Sequence, residues 1–431
     1  MGCDRPGVVR RTGALSRKLI AQIPGSKSLT NRALLCAAGA RGRSLLRRPL
    51  VSDDTEAFAA GLRELGYGVR VEGRREDQDW VVEGTGAGPQ VPAENVFCRD
   101  AGTAARFLPA LAATGRGRYR FDGTDQLRRR PLGPLLGGLQ ALGAGVVREG
   151  EAGADLPFTL QATGLRGGDI VVDAHQSSQY VSGLLLAAPL MQGPLRLRAT
   201  DLASAPYVEM TLGMMRRFGV EAAGGVGGTI TVPTGGYQAR EVAIEPDAST
   251  ASYFFAAAAL TGRTVTVPAL GTESEQGDLH FVDLLERMGA GVEREPGATT
   301  VTGPAALRGG LSFDMNAISD TMMTLAAVAP YAEGPIEITG IGHTRRKESD
   351  RVAAMATNLR ACGVAVEEGA DRLRIHPGRP RAAAIACHRD HRIAMSFAVL
   401  GLRAPGIELD DPQCVAKTFP GFFEEFGRLF G

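Results

Sequence analysis

Near the start of the chain a run of hydroxyl, amide and cationic side chains, Ser26-Lys27-Ser28-Leu29-Thr30-Asn31-Arg32, follows Pro24-Gly25 and leads into Ala33-Leu34-Leu35-Cys36-Ala37-Ala38. Proline and glycine stop an apolar strand expected over Leu19 to Ile23, and the polar turn opens a helix expected from about Leu29. Unpaired backbone N–H groups, hydroxyls and two cations then meet at one helix N-terminus, a setting that favours an anion. An ordinary capped helix uses the same residue types, so this stretch alone leaves both readings open. It is not a P-loop, because Ser26 separates Gly25 from Lys27. Further cations stand in Leu127-Arg128-Arg129-Arg130-Pro131, in Arg345-Arg346-Lys347-Glu348-Ser349-Asp350-Arg351, in His388-Arg389-Asp390-His391-Arg392 and at Lys417. The second of these is expected to open a surface helix on which Lys347, Glu348 and Arg351 share a face. Cations at a helix start oppose its dipole, which argues that they serve a ligand rather than stability. His388, Asp390 and His391 lack partners at metal-ligand spacing.

Other polar clusters stand where apolar helices begin: Asp100-Ala101-Gly102-Thr103, Ser177-Ser178-Gln179, Asp247-Ala248-Ser249-Thr250 and Ile318-Ser319-Asp320-Thr321. Each one taken singly is a good N-cap. The helices that follow are apolar all round, which means burial on every side. Between them a second kind of helix recurs about every 75 residues, ending in Leu65-Gly66, Leu142-Gly143, Phe218-Gly219, Met288-Gly289 and Cys362-Gly363, with a worn copy at Phe426-Gly427. Each pairs an amphipathic helix with a terminating glycine and a β-rich segment. These units are longer than solenoid repeats, so three per compact domain is expected, with the chain crossing near residues 240 to 246.

The chain has 431 residues, with Lys+Arg 48 against Asp+Glu 47 and a formal net charge of +1. That balance offers no general attraction to nucleic acid or anionic membranes, so anion recognition must come from local clustering. Apolar runs are too short for a membrane span. None of the six cysteines has Cys-x-x-Cys spacing, and buried thiols in a reducing cytoplasm are expected. Residues 1 to about 16 are read as a mobile tail without a signal sequence or a complete lipidation motif.

Taken together, Gly25-Ser26-Lys27-Ser28 with Asn31-Arg32, Ala101-Gly102-Thr103, Arg130-Pro131, Ser177-Ser178-Gln179, Lys347-Glu348-Ser349-Asp350-Arg351, Asp390-His391-Arg392 and Ala416-Lys417-Thr418-Phe419-Pro420 closely resemble the EPSP synthase family of enolpyruvyl transferases. The resemblance runs through nearly the whole chain in order. It implies an α/β fold of two similar domains, each of three βαβαββ repeats with buried helices and outer sheets. Residues 1–25 and 246–431 would form one domain and 26–245 the other, with the active site in the cleft between them. It also implies the reaction: phosphoenolpyruvate and shikimate 3-phosphate give the enolpyruvyl ether at the 5-hydroxyl and inorganic phosphate, through a tetrahedral intermediate, with no metal or cofactor.

By the family pattern, Lys27, Gly102, Arg130, Gln179, Arg351, Arg392 and Lys417 would hold phosphoenolpyruvate. Lys27, Ser28, Arg32, Ser177, Ser178, Gln179, Ser204, Asp320, His343 and Lys347 would hold shikimate 3-phosphate. Asp320 would act as base at the hydroxyl, and Glu348 with Lys27 would manage the proton at C3. A cytoplasmic monomer with small-molecule substrates, and with neither nucleic-acid nor membrane partner, is expected. So are an open cleft that closes on substrate, because facing cations repel, and inhibition by glyphosate, because Gly102 is retained. Asp100, His343 and Phe107 depart from the pattern. Asp100 is expected to pair with Arg99 or Arg106, a charged His343 to make binding pH-dependent, and Phe107 to shift the helix start. The related UDP-N-acetylglucosamine enolpyruvyl transferases typically have Lys-Asn where this chain has Lys27-Ser28 and lack the Lys347 to Arg351 segment. A non-catalytic anion sensor is disfavoured by the retention of both Asp320 and Glu348.

Overall fold

The structure, a computed structural model, describes residues 18–73, 78–151 and 153–431. The expected mobile tail and Cys3 lie outside the described residues. Cys36, Cys98, Cys362 and Cys387 are buried and Cys414 is half-buried, all as free thiols.

Buried side chains gather into two separate cores, one drawn from Leu29 to Ile244 and the other from Ala21 together with Ala248 to Leu429. At the centre of the first lie the helices Lys27–Gly39, Gly102–Ala113 and Gln179–Ala187; at the centre of the second lie Ala248–Thr261, Met322–Val328 and His391–Gly401. Beyond their polar first turns these helices are mostly apolar and buried on nearly every side, which is why they are central, and their small residues let them pack closely. At Gly183 a Cβ would fall 2.6 Å from the Arg106 carbonyl oxygen. A methyl group there would overpack the contact at a cost of about 1–3 kcal/mol.

Outside them stand amphipathic helices such as Asp53–Glu64, Pro206–Arg217 and Arg351–Ala361, and then the sheets. Gly66, Gly143, Gly219, Gly289 and Gly363 all have positive φ just after their helices, as the repeat required. The sixth copy differs: Gly427 lies inside the helix Phe422–Phe430, and its unit keeps only the two-stranded sheet of Ala383–Ile385 and Ile407–Leu409.

The halves exchange their opening strands. Leu19–Ile20 pairs in parallel with Thr264–Pro268 in the second half, and Glu241–Ala243 pairs in parallel with Ala40–Arg47 in the first. Both passages between the cores therefore lie side by side, where Ser26 N donates to Glu245 O (2.8 Å) and Asp247 N donates to Pro24 O (2.9 Å). The opening strand is only two residues long, not the five expected, because beyond Ala21 the chain leaves the sheet and Gln22 N donates to Glu425 Oε1 (2.6 Å). The glycine-rich stretch after Gly224 forms turns around the edge strand Thr229–Val232.

Two helix starts differ from the sequence reading. Ser26 caps the first helix by accepting from Leu29 N (3.4 Å), so the helix begins at Lys27. In the fifth unit Asp350 is the cap, accepting from Ala353 N (3.0 Å), so Lys347 and Glu348 precede the helix rather than sharing its face with Arg351. The helix that carries Phe107 starts at Gly102.

Candidate active site

The N-terminal ends of inner helices meet where the two halves meet, and most of the polar clusters of the sequence line one cavity there, while the Asp247 cluster stands behind it with Asp247 accepting from Lys27 N (3.0 Å). Its walls include Lys27, Ser28, Arg32, Gly102, Arg130, Ser177, Ser178, Gln179, Ser204, Asp320, His343, Lys347 and Glu348. Arg351, Arg392 and Lys417 stand directly behind, tied to carboxylates at its edge.

Asp320 lies in the short turn Ser319–Thr321 that leads into an inner helix. Its Oδ1 accepts from Lys347 Nζ (2.6 Å) and Arg351 Nη1 (3.0 Å), and its Oδ2 accepts from Arg392 Nη2 (2.8 Å). Burial alone would push this carboxyl up, but Arg392, Lys347 and Arg351 together hold it well below the usual range. Glu348 is treated the same way: its Oε2 accepts from Arg351 Nη2 (2.8 Å), its Oε1 stands 3.6 Å from Arg130 Nη1, and Arg351, Arg130, Lys417 and Lys27 outweigh burial to hold it well below its usual range. Arg351 also donates through Nε to Asp390 Oδ2 (2.9 Å). Burial, aided by Arg351, lowers Lys347 despite the Asp320 carboxylate beside it.

On the opposite side Asp54 bridges two lysines, with Oδ2 at 3.3 Å from Lys27 Nζ and Oδ1 at 2.8 Å from Lys417 Nζ. Lys417 Nζ also donates to the Asp100 carbonyl (2.8 Å). Arg32 is turned inward, with Nε donating to Thr211 Oγ1 (2.8 Å), Nη1 to Ser28 O (2.9 Å) and Nη2 to Tyr207 O (2.9 Å), and burial lowers it to about 10. Among the described residues the buried Oε1 of Gln179, the Nε of Arg130 and both ring nitrogens of His391 have no hydrogen-bond partner, the nearest carboxylate to His391 being Asp390 Oδ1 at 3.7 Å from Nδ1. Gln179 N is capped by Ser177 Oγ (3.2 Å). Ser204 Oγ donates to Asn316 O (3.0 Å) across the two halves and lies 3.3 Å from His343 Nε2.

Two sequence expectations are corrected here. Asp100 pairs with neither Arg99 nor Arg106: its Oδ2 accepts from Arg389 Nη2 of the other half (2.7 Å), and Arg106 instead donates to Gly102 O (2.9 Å) and Pro131 O (3.0 Å). His343 is neutral at ordinary pH, because burial and then Lys347 push it down to about 3. It meets Ser319 Oγ at 2.8 Å as an uncharged ring. The two halves touch across the cavity, where Gln126 Nε2 donates to Glu348 O (2.7 Å). Asp54 and Glu348 each pair with cations of both halves, which offsets part of the repulsion between them.

Sequence reasoning missed Asp54, Tyr207 and Asp278. Asp54 looks like an ordinary acidic residue of a helix first turn, where the dipole favours it. Tyr207 and Asp278 belong to none of the polar runs, and only the fold brings them beside Asp320. Among the described residues no group of three His, Cys, Asp or Glu side chains is arranged to hold a metal, and no helix is long and apolar enough to cross a membrane.

Residues 9–426 match the family described as EPSP synthase (3-phosphoshikimate 1-carboxyvinyltransferase). A 3-phosphoshikimate 1-carboxyvinyltransferase of Nostoc punctiforme is 45% identical over 422 residues, covering 96% of this chain and 98% of its own, and that of Trichormus variabilis is 44% identical over 424 residues, covering 97% and 98%. The solved structure of EPSP synthase from Acinetobacter baumannii superposes with a TM-score of 0.80 at 27% identity, covering 96% of each chain.

Proposed function

The chain belongs to the EPSP synthase family, and on that premise we infer that it transfers the enolpyruvyl group of phosphoenolpyruvate to the 5-hydroxyl of shikimate 3-phosphate, releasing phosphate, as a step of aromatic amino-acid biosynthesis. Two domains, 1–25 with 246–431 and 26–245, enclose the substrates, and the two separate cores support that division. Phosphoenolpyruvate is held by Lys27, Arg130, Gln179, Arg351, Arg392 and Lys417 beside Gly102. Shikimate 3-phosphate is held by Lys27, Ser28, Arg32, Ser177, Ser178, Gln179, Ser204, Asp320, His343 and Lys347. Arginine is suited to this work because its fork binds carboxylate and phosphate in pairs of hydrogen bonds. The enzyme works as a cytoplasmic monomer and binds glyphosate at the phosphoenolpyruvate site.

The observation that carries the mechanism is that Asp320 and Glu348 both lie at one cavity, each held ionised by cations that anionic substrates also need. An entering phosphate or carboxylate competes for Arg351, Arg392 and Lys347. As those donors turn to substrate, Asp320 regains proton affinity and accepts the proton of the attacking hydroxyl. Glu348, relieved in the same way of Arg351 and Arg130, takes up a proton from solvent, passes it to C3 with Lys27 beside it as the tetrahedral intermediate forms, and takes one back from C3 as phosphate leaves. Substrate binding thus converts two poor bases into working ones.

Asp320→Asn and Glu348→Gln test these roles. Calorimetry is expected to show shikimate 3-phosphate still bound, with turnover reduced at least about 100-fold, within the range general acid–base groups contribute. Near-normal turnover in either variant overturns its assignment.

A further inference from the structure

At the cavity wall beside Asp320, Tyr207 is placed between two carboxyl groups. Its hydroxyl lies 3.0 Å from Asp278 Oδ2 and 3.4 Å from Asp320 Oδ2. A phenol has one proton, so it cannot donate to both. Were both carboxyls ionised, one contact would set lone pair against lone pair in a buried place, with two negative charges sharing one donor. A second proton removes the conflict: one carboxyl donates to the Tyr207 oxygen and Tyr207 donates to the other.

The surroundings decide which carboxyl holds that proton. Asp320 is gripped by Lys347, Arg351 and Arg392. Asp278 is 4% exposed, and among the described residues its side chain makes hydrogen bonds only to the hydroxyls of Ser249 and Tyr207 and leaves Oδ1 without a partner. The charged groups facing it are Asp320, which repels, and Arg392, which is spent on Asp320. Asp247, on the cap of the adjacent helix, is turned to Lys27 N and Thr250 N, and His280 on its own segment is turned to Asp283. Burial and then Asp320 push Asp278 up to about 6.

We propose that Asp278 is a positioning carboxylic acid that sets the proton affinity of the base Asp320 through the Tyr207 hydroxyl. With Asp278 protonated, the chain Asp278 to Tyr207 to Asp320 points every donor toward Asp320 and weakens it as a base. When Asp278 loses its proton, Tyr207 turns its hydrogen to Asp278, and Asp320 loses a donor and faces a second negative charge. Its affinity for the substrate proton then rises. The inference rests on the assignment of Asp320 as base, and the experiment separates the two.

Carbon-13 NMR of aspartate carboxyls in the full-length protein, titrated through pH 6, is expected to show one buried aspartate with a midpoint near 6. That signal should vanish in Asp278→Asn and move down by about one pH unit or more in Asp320→Asn, as removal of a close negative charge requires. In kinetics, Asp278→Asn and Tyr207→Phe should each erase the inflection of kcat near that pH, and Asp278→Asn should leave both KM values within about threefold, since no substrate contact of Asp278 is invoked. A wild-type protein with no aspartate titrating between pH 5 and 7, or an Asp278→Asn enzyme keeping the wild-type kcat profile, overturns the proposal. Near-normal turnover in Asp320→Asn instead overturns the base assignment, while the titration midpoints still report whether Asp278 and Asp320 are coupled.

Discussion

Replacing Gly102 by alanine would place a Cβ 2.4 Å from Nη2 and 2.5 Å from Nη1 of Arg130. Carbon and nitrogen settle at about 3.5 Å, so the guanidinium must retreat by about 1 Å. The helix cannot yield easily, because Gly183 of its neighbour lies against the Arg106 backbone. A charge-assisted hydrogen bond stretched by that much is lost, at about 1.5–3 kcal/mol. At about 1.4 kcal/mol per factor of ten, KM for phosphoenolpyruvate rises about 10- to 100-fold. KM for shikimate 3-phosphate stays within about twofold, the tolerance for independent sites. Steady-state phosphate release with each substrate varied in turn reads both constants, and glyphosate inhibition should weaken in parallel with phosphoenolpyruvate binding. The mechanism also predicts non-additivity: in an Arg130→Ala background, Gly102→Ala should add almost nothing. An unchanged KM for phosphoenolpyruvate, or the same penalty without Arg130, refutes the steric reasoning.

Asp54→Asn removes the carboxylate shared by Lys27 and Lys417, with the Asp54 side chain only 4% exposed; leaving buried cations unpaired costs about 3–5 kcal/mol. Tm should fall, and phosphoenolpyruvate should raise it more than in the wild type; an unchanged Tm contradicts this. The Asp100–Arg389 pair joins the two halves at 2.7 Å but is partly exposed, so Asp100→Asn should change substrate KM by no more than about fivefold. That difference should shrink as salt is added, and a larger or salt-insensitive effect would point to direct ligand contact. His343 has a folded pKa pushed from the usual 6.5 down to about 3. Between those values the unfolded chain binds a proton that the folded one does not, so stability falls as pH drops below 6.5 and is unaffected above it. Denaturant unfolding should show a shallower acid slope for His343→Asn; parallel slopes would show that His343 titrates normally.

Much of this architecture is legible in the sequence because its signals are local. The glycines from Gly66 to Gly363 announce helix ends by the backbone they require, and all-apolar runs such as Tyr253 to Leu260 announce burial. The cavity's cations are legible for a similar reason, since Lys27, Lys347 and Arg392 stand within polar runs that break apolar patterns. What is not legible is how charge is balanced between segments far apart in the chain. Lys417 and Lys27 converge on Asp54, and Asp100 meets Arg389, only because the two halves close on one another. The state of His343 is hidden likewise, because burial and Lys347 set it rather than its neighbours in sequence. Helix starts shift by a few residues where Ser26 and Asp350 take the cap.

Phosphate release from phosphoenolpyruvate, with shikimate 3-phosphate and UDP-N-acetylglucosamine offered in parallel to the purified protein, puts the assigned reaction to the most direct trial. Release with shikimate 3-phosphate alone, abolished in Asp320→Asn, is expected. Release with the sugar nucleotide alone, or with neither acceptor, would contradict it.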